Sequence, residues 1–499
     1  MFSLRIYATA ILIAMISILS PFIDTFPQTQ PEFEWSPQQR IPIYEDATEE
    51  PPFLISDGHL PVHAFNSQPI DLNNPSSQKA VYYRQWSPDS GWSSPNDIFY
   101  DQNGGNLELI GVYLDHQPVV HILYQLGNGD INYSSSPLSQ AGNASNWLKP
   151  VQIAENSVGI RPGINYIGAI SGNDNGSLVA IFSGVRDGNG LYMNYSQDGG
   201  RSWNKPIPLY LSDNPEYTVV TPSMFCGDEN QMHIVFSTFD EHGFGGPGYY
   251  SRIDLTSMNW TVPTAIDTPG IRTPSVIEFH GEVIISYYHH NVNGNWWRKS
   301  TASAREWTKP ARISENLVGT NGALSFAIDG QDMLHAFFGQ RINPNPHGLW
   351  HVIYEGDTWS YPDAVVSGPL IEDEVGGNGF DPRSARAIIP NGNTILVTWG
   401  TDGAAGQNGA WYSQKKLNIP KTSIITHTQG DSITAIPTKV IYELKQVTPT
   451  IAVKPIQKII DKEQPGLLKP QVPIFISVII SLSMITLVII IRKLFSMRS

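Results

Sequence analysis

The chain has 499 residues, of which only 15% are charged, and it is rich in glycine (43), proline (38), tryptophan (13) and tyrosine (21). This composition is typical of a turn-rich, aromatic-rich β protein and leaves little room for amphipathic helices. Residues 1–417 carry 21 Lys and Arg against 41 Asp and Glu, whereas the remaining residues carry 10 and 4. The acidic character of the large N-terminal part argues against nucleic acid or an anionic lipid surface as its ligand. A single cysteine, Cys226, excludes an internal disulfide.

Both ends of the chain carry membrane signals. Arg5 precedes an apolar run over residues 6–19, but no clear small-residue cleavage site follows. Residues 1–25 are therefore predicted to be either a signal peptide or an uncleaved N-terminal anchor. Residues 472–491 contain no charge and are long enough to cross about 30 Å of hydrocarbon as a transmembrane helix. Basic residues follow, so residues 492–499 are predicted to be a cytoplasmic tail of a single-pass cell-membrane protein whose large N-terminal part is outside.

A short tryptophan motif recurs along the chain: a Trp, a small polar residue, a proline and then an aliphatic residue. The copies follow one another at intervals of 47 to 57 residues and are centred on Trp35, Trp92, Trp147, Trp203, Trp260, Trp307 and Trp359. Between successive copies lie an aliphatic hairpin with a polar turn and then an aromatic strand. There are seven hairpins and seven aromatic strands, and no Trp strand follows the last aromatic strand, residues 410–417.

Each repeat therefore contains four short strands in about 55 residues, and such a unit must stack on neighbours to bury its faces. We predict an all-β, seven-bladed β-propeller over residues 30–417, in which the orphan N-terminal strand around Trp35 completes the last blade. This closure removes open sheet edges. A six-bladed propeller is the alternative, if the Trp35 motif is accidental and one hairpin is an elaboration. Residues 418–470, rich in Pro, Thr and Lys, are predicted to form an extended stalk that holds the propeller off the membrane.

The stretch YSQDGGRSWNKP contains the pattern Ser196, Asp198, Gly200 and Trp203. Its position between the third and fourth strands of a repeat predicts a tight turn, with the aspartate accepting bonds from its own backbone and the tryptophan packing between blades. A calcium loop would need more oxygen ligands, so neither a metal nor a cofactor is predicted. The pattern resembles the Asp-box, or bacterial neuraminidase repeat, of the sialidase superfamily; the other copies are degenerate. In that family the Asp-box lies at the blade periphery, away from the active site.

Three arginines stand beside the start of a first strand: Arg161, Arg272 and Arg383. They are 111 residues apart in each case, which is two repeats, and would come from blades three, five and seven. Guanidinium groups hold carboxylates through paired hydrogen bonds. The resemblance to sialidases implies that the three arginines bind the carboxylate of a ligand. The alternative is that each caps a strand end or pairs with a local acid.

The resemblance also implies a tyrosine nucleophile, a glutamate that activates it and an acid/base residue. Asp71 follows the first hairpin, where the family has its acid/base aspartate, while Tyr166 and Tyr217 are candidate nucleophiles and Glu241 is a loop acid of a later blade. The family's Arg-Ile-Pro signature occurs here at 40–42, one element too early, and the inner strand of the first blade has no arginine. This departure favours a protein that does not catalyse hydrolysis.

Four histidines recur at one position, the second strand of their hairpins: His63, His121, His233 and His335. A ring of metal ligands is one interpretation. The other, which we favour, is a repeat position where the imidazole packs or hydrogen-bonds between blades.

These observations support three hypotheses about function. The first is a membrane-tethered propeller that recognises a glycan, a glycoconjugate or another surface partner without catalysis. The second is an exo-α-sialidase or related glycoside hydrolase that acts on a terminal acidic sugar. The third is a non-enzymatic propeller that binds a surface protein. The residues alone leave open whether the protein is an enzyme.

Overall fold

The computed structural model describes residues 34–42, 51–71, 74, 77–155, 168–214, 217–227, 230–239, 245–317, 322–340, 347–368, 382–401, 409–423 and 425–427. The predicted leader, membrane helix and cytoplasmic tail lie outside these residues, as does most of the predicted stalk. Within the described ranges, no helix is both long enough and apolar enough to span a membrane.

Seven antiparallel sheets, each forming one blade, make up the described part of the chain. The first strand, β1 (Gln39–Arg40), belongs to the last blade. Blade 1 contains β2 (Phe53–Asp57), β3 (Val62–Pro69), β4 (Lys79–Ser87), β5 (Gly91–Trp92) and β6 (Asn96–Phe99). Blade 2 contains β7 (Leu107–Leu114), β8 (Val119–Leu126), β9 (Ile131–Pro137) and β10 (Val151–Ala154). Blade 3 contains β11 (Gly168–Gly172), β12 (Leu178–Gly184), β13 (Gly190–Ser196) and β14 (Ile207–Leu211).

The remaining blades repeat the same order of strands. Blade 4 contains β15 (Thr218–Cys226), β16 (Gln231–Phe239), β17 (Gly245–Asp254), β18 (Asn259–Trp260) and β19 (Thr264–Ala265). Blade 5 contains β20 (Ile271–Phe279), β21 (Glu282–His289), β22 (Gly294–Thr301) and β23 (Ala311–Arg312). Blade 6 contains β24 (Ser325–Ile328), β25 (Leu334–Gln340), β26 (His347–Ile353) and β27 (Asp363–Gly368). Blade 7 contains β28 (Pro382–Ile388), β29 (Thr394–Thr401) and β30 (Ala410–Lys416), and β31 (Ile425–His427) follows. Short 3₁₀ helices occupy Leu138–Gln140, Ala144–Asn146 and His290–Val292.

The ring is closed by the N-terminal strand, as the repeat count predicts. β1 pairs antiparallel with β30, with Gln39 opposite Tyr412 and Arg40 opposite Trp411. The pairing extends beyond β1 on both sides. Ser36 N donates to Gln414 O (2.9 Å), and Ile41 N donates to Ala410 O (2.8 Å). The seven-bladed prediction is therefore confirmed, and the six-bladed alternative is wrong.

The core of the propeller lies between the blades. A blade is covered on both faces by its neighbours, so its second strand is buried almost throughout: all but the two terminal residues of β8 are buried, including His121 and Gln125. The outermost strands are partly exposed, as in β10, where the first two residues are exposed and the last two are buried. This explains why the repeats appear in the sequence as aliphatic runs followed by more polar Trp strands.

Six of the seven motif tryptophans fill the gap to the preceding blade by contacting an aromatic ring there. The ring pairs and their centroid distances are Trp35–Phe337 (6.1 Å), Trp92–Tyr412 (5.7 Å), Trp147–Phe65 (6.2 Å), Trp203–Tyr133 (4.9 Å), Trp307–Tyr250 (5.1 Å) and Trp359–Trp297 (5.9 Å). Edge-to-face pairs of this kind add to the stabilisation from buried area. Trp260 is the exception, with 39% of its surface exposed.

The four recurring histidines are buried and hydrogen-bonded from Nδ1 to the third strand of their own blades. The pairs are His63–Tyr83 (2.7 Å), His121–Tyr133 (2.7 Å), His233–Tyr250 (2.7 Å) and His335–His351 (2.8 Å). The second ring nitrogen of His233 also reaches the next blade, where it lies 2.9 Å from Glu278. The histidines thus act as polar links in the core, each with its own partner.

Candidate ligand-binding site

We define the upper face as the end of the propeller at which the first strand of each blade begins. Because the strands of a blade are antiparallel, the second strand ends at this same face. Arg272 in β20 and Arg383 in β28 are therefore at the same end as Asp71, which follows β3, and His290, which follows β21. The third predicted arginine, Arg161, lies outside the described residues.

The two arginines stand on the same backbone feature. In both β20 and β28 the pairing with the second strand is interrupted by a bulge directly after the arginine. The next residue has a positive φ in each case, 43° for Thr273 and 51° for Ser384. Such values are rare for residues other than glycine, and bulges re-aim the adjacent side chain. The two bulges therefore set the direction of Arg272 and Arg383.

Gly322 of blade 6, which precedes β24, connects the two bulges. Thr273 donates from Oγ1 to the carbonyl oxygen of Gly322 at 3.1 Å. On the other side, a Cβ atom added to Gly322 would lie only 2.6 Å from the backbone nitrogen of Ser384. Each arginine is thus one residue away from a contact shared by blades 5, 6 and 7. This contact ties together the backbone positions from which Arg272 and Arg383 project.

Among the described residues, aromatic side chains lie beside Arg272. Its guanidinium carbon lies 5.4 Å from the centre of the Phe239 ring. Tyr288 is its partner across the β20–β21 ladder and donates to Oδ1 of Asn293 at 3.1 Å. Burial raises the pKa of Tyr288, and Arg272 opposes this effect. Burial and the charge of Arg272 lower the pKa of His290, so near pH 7 a neutral imidazole and a neutral phenol stand beside the cation.

A nearby arginine, Arg386, has a structural role. It is 4% exposed and donates from Nη1 to the carbonyl oxygen of Pro51 at 2.7 Å. Its guanidinium carbon lies 3.6 Å from the centre of the Phe53 ring. Arg386 therefore fastens blade 7 to the start of blade 1, while Arg383, three residues earlier, is only half-buried.

The predicted catalytic residues are not gathered around Arg272 in the described structure. Tyr166 and Glu241 lie outside the described residues. Asp71 is exposed at the upper face of blade 1, where its backbone nitrogen bonds Ser77 Oγ at 3.1 Å within a turn.

Tyr217 precedes β15 and belongs to a tyrosine cluster between blades 3 and 4. Tyr210 donates to the hydroxyl of Tyr249 at 3.2 Å, and their ring centroids are 4.7 Å apart. The pKa of Tyr249 is raised by burial, then by Tyr210, and further by the nearby Asp213 and Tyr217, so Tyr217 lies beside this cluster.

The Asp-box-like turn lies between β13 and β14, at the end of blade 3 opposite the upper face. Asp198 accepts bonds from Ser202 N (2.9 Å), Ser202 Oγ (2.6 Å) and Ser196 Oγ (2.7 Å), and these bonds lower its pKa to about 2. Ser196 Oγ also accepts from Gly200 N at 2.9 Å, and Trp203 donates to the Gly200 carbonyl at 3.2 Å. The side chains of Ser196 and Asp198 are thus used within the turn itself, and Gly199 ties the turn to its surroundings by donating to Gly176 O (2.9 Å) and accepting from the Tyr133 hydroxyl (3.4 Å). Across the described residues, no group of three or more His, Cys, Asp or Glu side chains could hold a metal.

Sequence reasoning missed Thr273, Gly322, Ser384 and Tyr288. A signal for the bulge is present in hindsight, because Thr-Pro-Ser occurs at 221–223 and again at 273–275, and β15 carries a bulge at the same place as β20. No comparable signal marks Gly322, whose importance depends on the neighbours it meets in the folded ring.

No protein-family model and no curated protein matches the sequence. Among solved structures, the chain is similar to the Hadza microbial sialidase Hz136 at 11% identity and a TM-score of 0.41, over 68% of this chain and 74% of that one. It is similar to a polysaccharide lyase of family PL25, an ulvan lyase, at 11% identity and a TM-score of 0.46, over 81% and 95%. It is also similar to Trypanosoma rangeli sialidase at 11% identity and a TM-score of 0.43, over 76% of this chain and 60% of that one. Similarity at this level carries no argument about function.

Proposed function

We propose that the protein is a cell-surface, membrane-anchored propeller that binds an anionic glycan or glycoconjugate at its upper face through Arg272 and Arg383. The observation that carries this proposal is the Gly322 contact, which joins the two bulges that follow these arginines. Two guanidinium groups with a common backbone support suit a carboxylated or sulfated sugar, because each can donate two parallel hydrogen bonds to one anionic group.

The aromatic neighbours of Arg272 support a sugar as the carrier of the anionic group. The Phe239 ring lies at the guanidinium of Arg272, and Tyr288 is the residue opposite Arg272 across the ladder. Aromatic rings suit the apolar faces of sugar rings, while a few polar groups fix orientation. Anchoring through the uncharged segment 472–491 would present this face outside the cell.

Binding without hydrolysis is the form of the proposal that the geometry favours. Tyr288, the tyrosine opposite Arg272, donates to an amide oxygen of Asn293 and not to a carboxylate. An amide cannot take a proton from a phenol, so the partner that Tyr288 has among the described residues is not the base that a nucleophilic tyrosine needs.

A glycan-binding experiment tests the proposal. The full chain, in detergent micelles, is applied to an array of sialylated, uronate-containing, sulfated and neutral glycans. Binding restricted to acidic glycans, weakened at least about tenfold by R272Q or R383Q, is expected, since a charge-assisted bond contributes roughly 1.5–3 kcal/mol. The control is R305Q, which makes the same charge change at an exposed position between β22 and β23, at the opposite end of blade 5.

The outcomes separate the three hypotheses. Binding to neutral glycans alone, or equal effects of R272Q and R305Q, would refute the proposed site. Release of the fluorophore from a fluorogenic sialoside, lost in R272Q, would show that the protein is a hydrolase. Absence of both binding and turnover on every glycan would favour a protein ligand.

A further inference from the structure

The chain stays in contact with the propeller after its last blade strand. Leu417 N donates to Asn393 O at 2.7 Å, and Asn393 Nδ2 donates to Ile419 O at 3.1 Å. Thr422 N then donates to Asn391 O at 2.9 Å. These bonds attach the segment to the turn between β28 and β29, at the lower face of blade 7.

From this turn the segment crosses to blade 1. The hydroxyl of Ser423 lies 3.2 Å from Nδ1 of His59, in the turn between β2 and β3. β31 then pairs antiparallel with β2, with Asp57 opposite Ile425 and the two following pairs in register. Because β2 is the innermost strand of blade 1, β31 lies on its axial side, where it also contacts β7 of blade 2.

The segment also lies directly against the lower turns of blades 6 and 7. Gly330 N of blade 6 donates to Gly392 O of blade 7 at 2.7 Å. Gly392 is so close to the segment that an added Cβ atom would lie 2.8 Å from the carbonyl oxygen of Thr422. One stretch of ten or so residues thus touches four consecutive blades, 6, 7, 1 and 2, at the place where the ring closes.

We infer that residues 417–423 and 425–427, here termed the strap, form a second closure of the propeller that fastens blade 7 to blade 1. The first closure, β1, lies at the outer edge of blade 7 and pairs only with β30. The strap acts at the lower face and inner edge, and it covers the open edge of β2, which would otherwise offer unpaired backbone groups to another strand. The folded propeller unit therefore extends to residue 427, and the strap holds blade 7, which carries Arg383, against blade 1.

A disulfide test probes the position of the strap in the full chain. Directly opposed residues of an antiparallel pair have Cα atoms about 4.5–5.5 Å apart, within the range that a disulfide spans. The double variant D57C/I425C is expected to form an intramolecular disulfide under mild oxidation, seen as a mobility shift without reductant. The control is D57C/K421C, whose second position lies before the strand. Absence of the shift in D57C/I425C, or an equal shift in the control, would overturn the proposed position.

A stability comparison probes the fastening role. Gly392 and Gly356 both have positive φ, 73° and 87°, so alanine brings similar backbone strain to each. Only Gly392 has the strap against it, whereas a Cβ on Gly356 would have no atom within 4 Å. We expect G392A to unfold several degrees below G356A and to lose hydrogen-exchange protection in β2. Unfolding of G392A at or above the temperature of G356A, or unchanged protection of β2, would show that the strap does not fasten the ring.

Discussion

The indole Nε1 of Trp35 donates a 2.9 Å hydrogen bond to Asp363, a residue 328 positions later in the chain. The same carboxylate oxygen accepts from Nζ of Lys415 at 3.1 Å and lies 3.9 Å from Nδ1 of His351. Trp35 precedes the closing strand β1, Asp363 begins β27 of blade 6, and Lys415 is in β30 of blade 7. One carboxylate therefore holds the N-terminal closure to two blades.

Replacing Asp363 by alanine is expected to lower the free energy of unfolding by about 1–2 kcal/mol. The charged hydrogen bonds at this site would be lost, but the side chain is half-exposed, so solvent screening reduces their contribution. Chemical denaturation of the full chain measures the change. Asp89→Ala, at an exposed turn of blade 1, is the control and should leave the free energy of unfolding nearly unchanged. Equal effects of the two substitutions would contradict the role of Asp363.

Stability is expected to fall as the pH drops from 6.5 towards 4. Burial lowers the pKa of His63 and of His351 from 6.5 to about 4. Between these values the unfolded chain binds protons that the folded protein excludes, so acid favours unfolding, and the full stability is present above pH 6.5. Each histidine contributes a slope of about 1.4 kcal/mol per pH unit.

The slope is measured by denaturant titrations between pH 7.5 and pH 4.5. His63→Gln removes one titrating group and should reduce the slope in this interval by about 1.4 kcal/mol per pH unit. His280→Gln is the control, because His280 is largely exposed in a surface pair with Asp332. A slope that is unchanged in His63→Gln would contradict the assignment.

Trp203 and Trp260 occupy the same position in the repeat but differ in their contacts. Trp203 packs edge-to-face on Tyr133 of blade 2 at 4.9 Å, whereas Trp260 is 39% exposed. We expect Trp203→Ala to lower the free energy of unfolding by about 2–3 kcal/mol, somewhat less than a fully buried tryptophan, and Trp260→Ala by less than about 1 kcal/mol. Thermal unfolding of both variants checks the order, and a larger effect at Trp260 would contradict it.

Ligand affinity is expected to depend on the hydroxyl of Thr273. Thr273→Ala removes the bond to Gly322 O and so loosens the bulge that directs Arg272. We expect glycan affinity to fall several-fold, with little change in the unfolding temperature. Thr273→Ser keeps the hydroxyl and is the matched control, which should bind like the unmodified chain. Equal affinity of the alanine and serine variants would show that the Gly322 contact does not support the site.

The number of blades could be predicted because the Trp motif and the strands between its copies recur at regular intervals in the sequence. Each blade needs a large ring to fill the wedge beside its neighbour, and six of the seven motif tryptophans supply it. The prediction that Trp35 belongs to the last blade followed from the strand count, because the last repeat has no Trp strand of its own and the N-terminus supplies one. The motif does not predict burial at every copy. Trp260 occupies the motif position, yet 39% of its surface is exposed.

The candidate site could be predicted only in part. The starts of the inner strands pointed to Arg272 and Arg383, because in a propeller those starts share one face. The bulge after Arg272 coincides with a Thr-Pro-Ser sequence that recurs at 221–223, but no such signal marks the bulge after Arg383, and the positive φ of Thr273 and Ser384 runs against their residue type. The strap was also missed, because a Pro- and Thr-rich segment has the composition of a linker, and only three residues of it form a strand.

The pairing of β1 with β30 has a consequence for the order of folding. β1 cannot pair until β30 has been synthesised, about 370 residues later. At this separation in the chain, loop closure is entropically costly and slow. Blades 1 to 6 can stack in the order of synthesis, because each consists of consecutive strands. Blade 7 cannot be completed until its three C-terminal strands have been made. A chain truncated inside blade 7 would therefore leave β1 without its partner strand, and it would leave the facing surfaces of blades 6 and 1 without a complete blade between them.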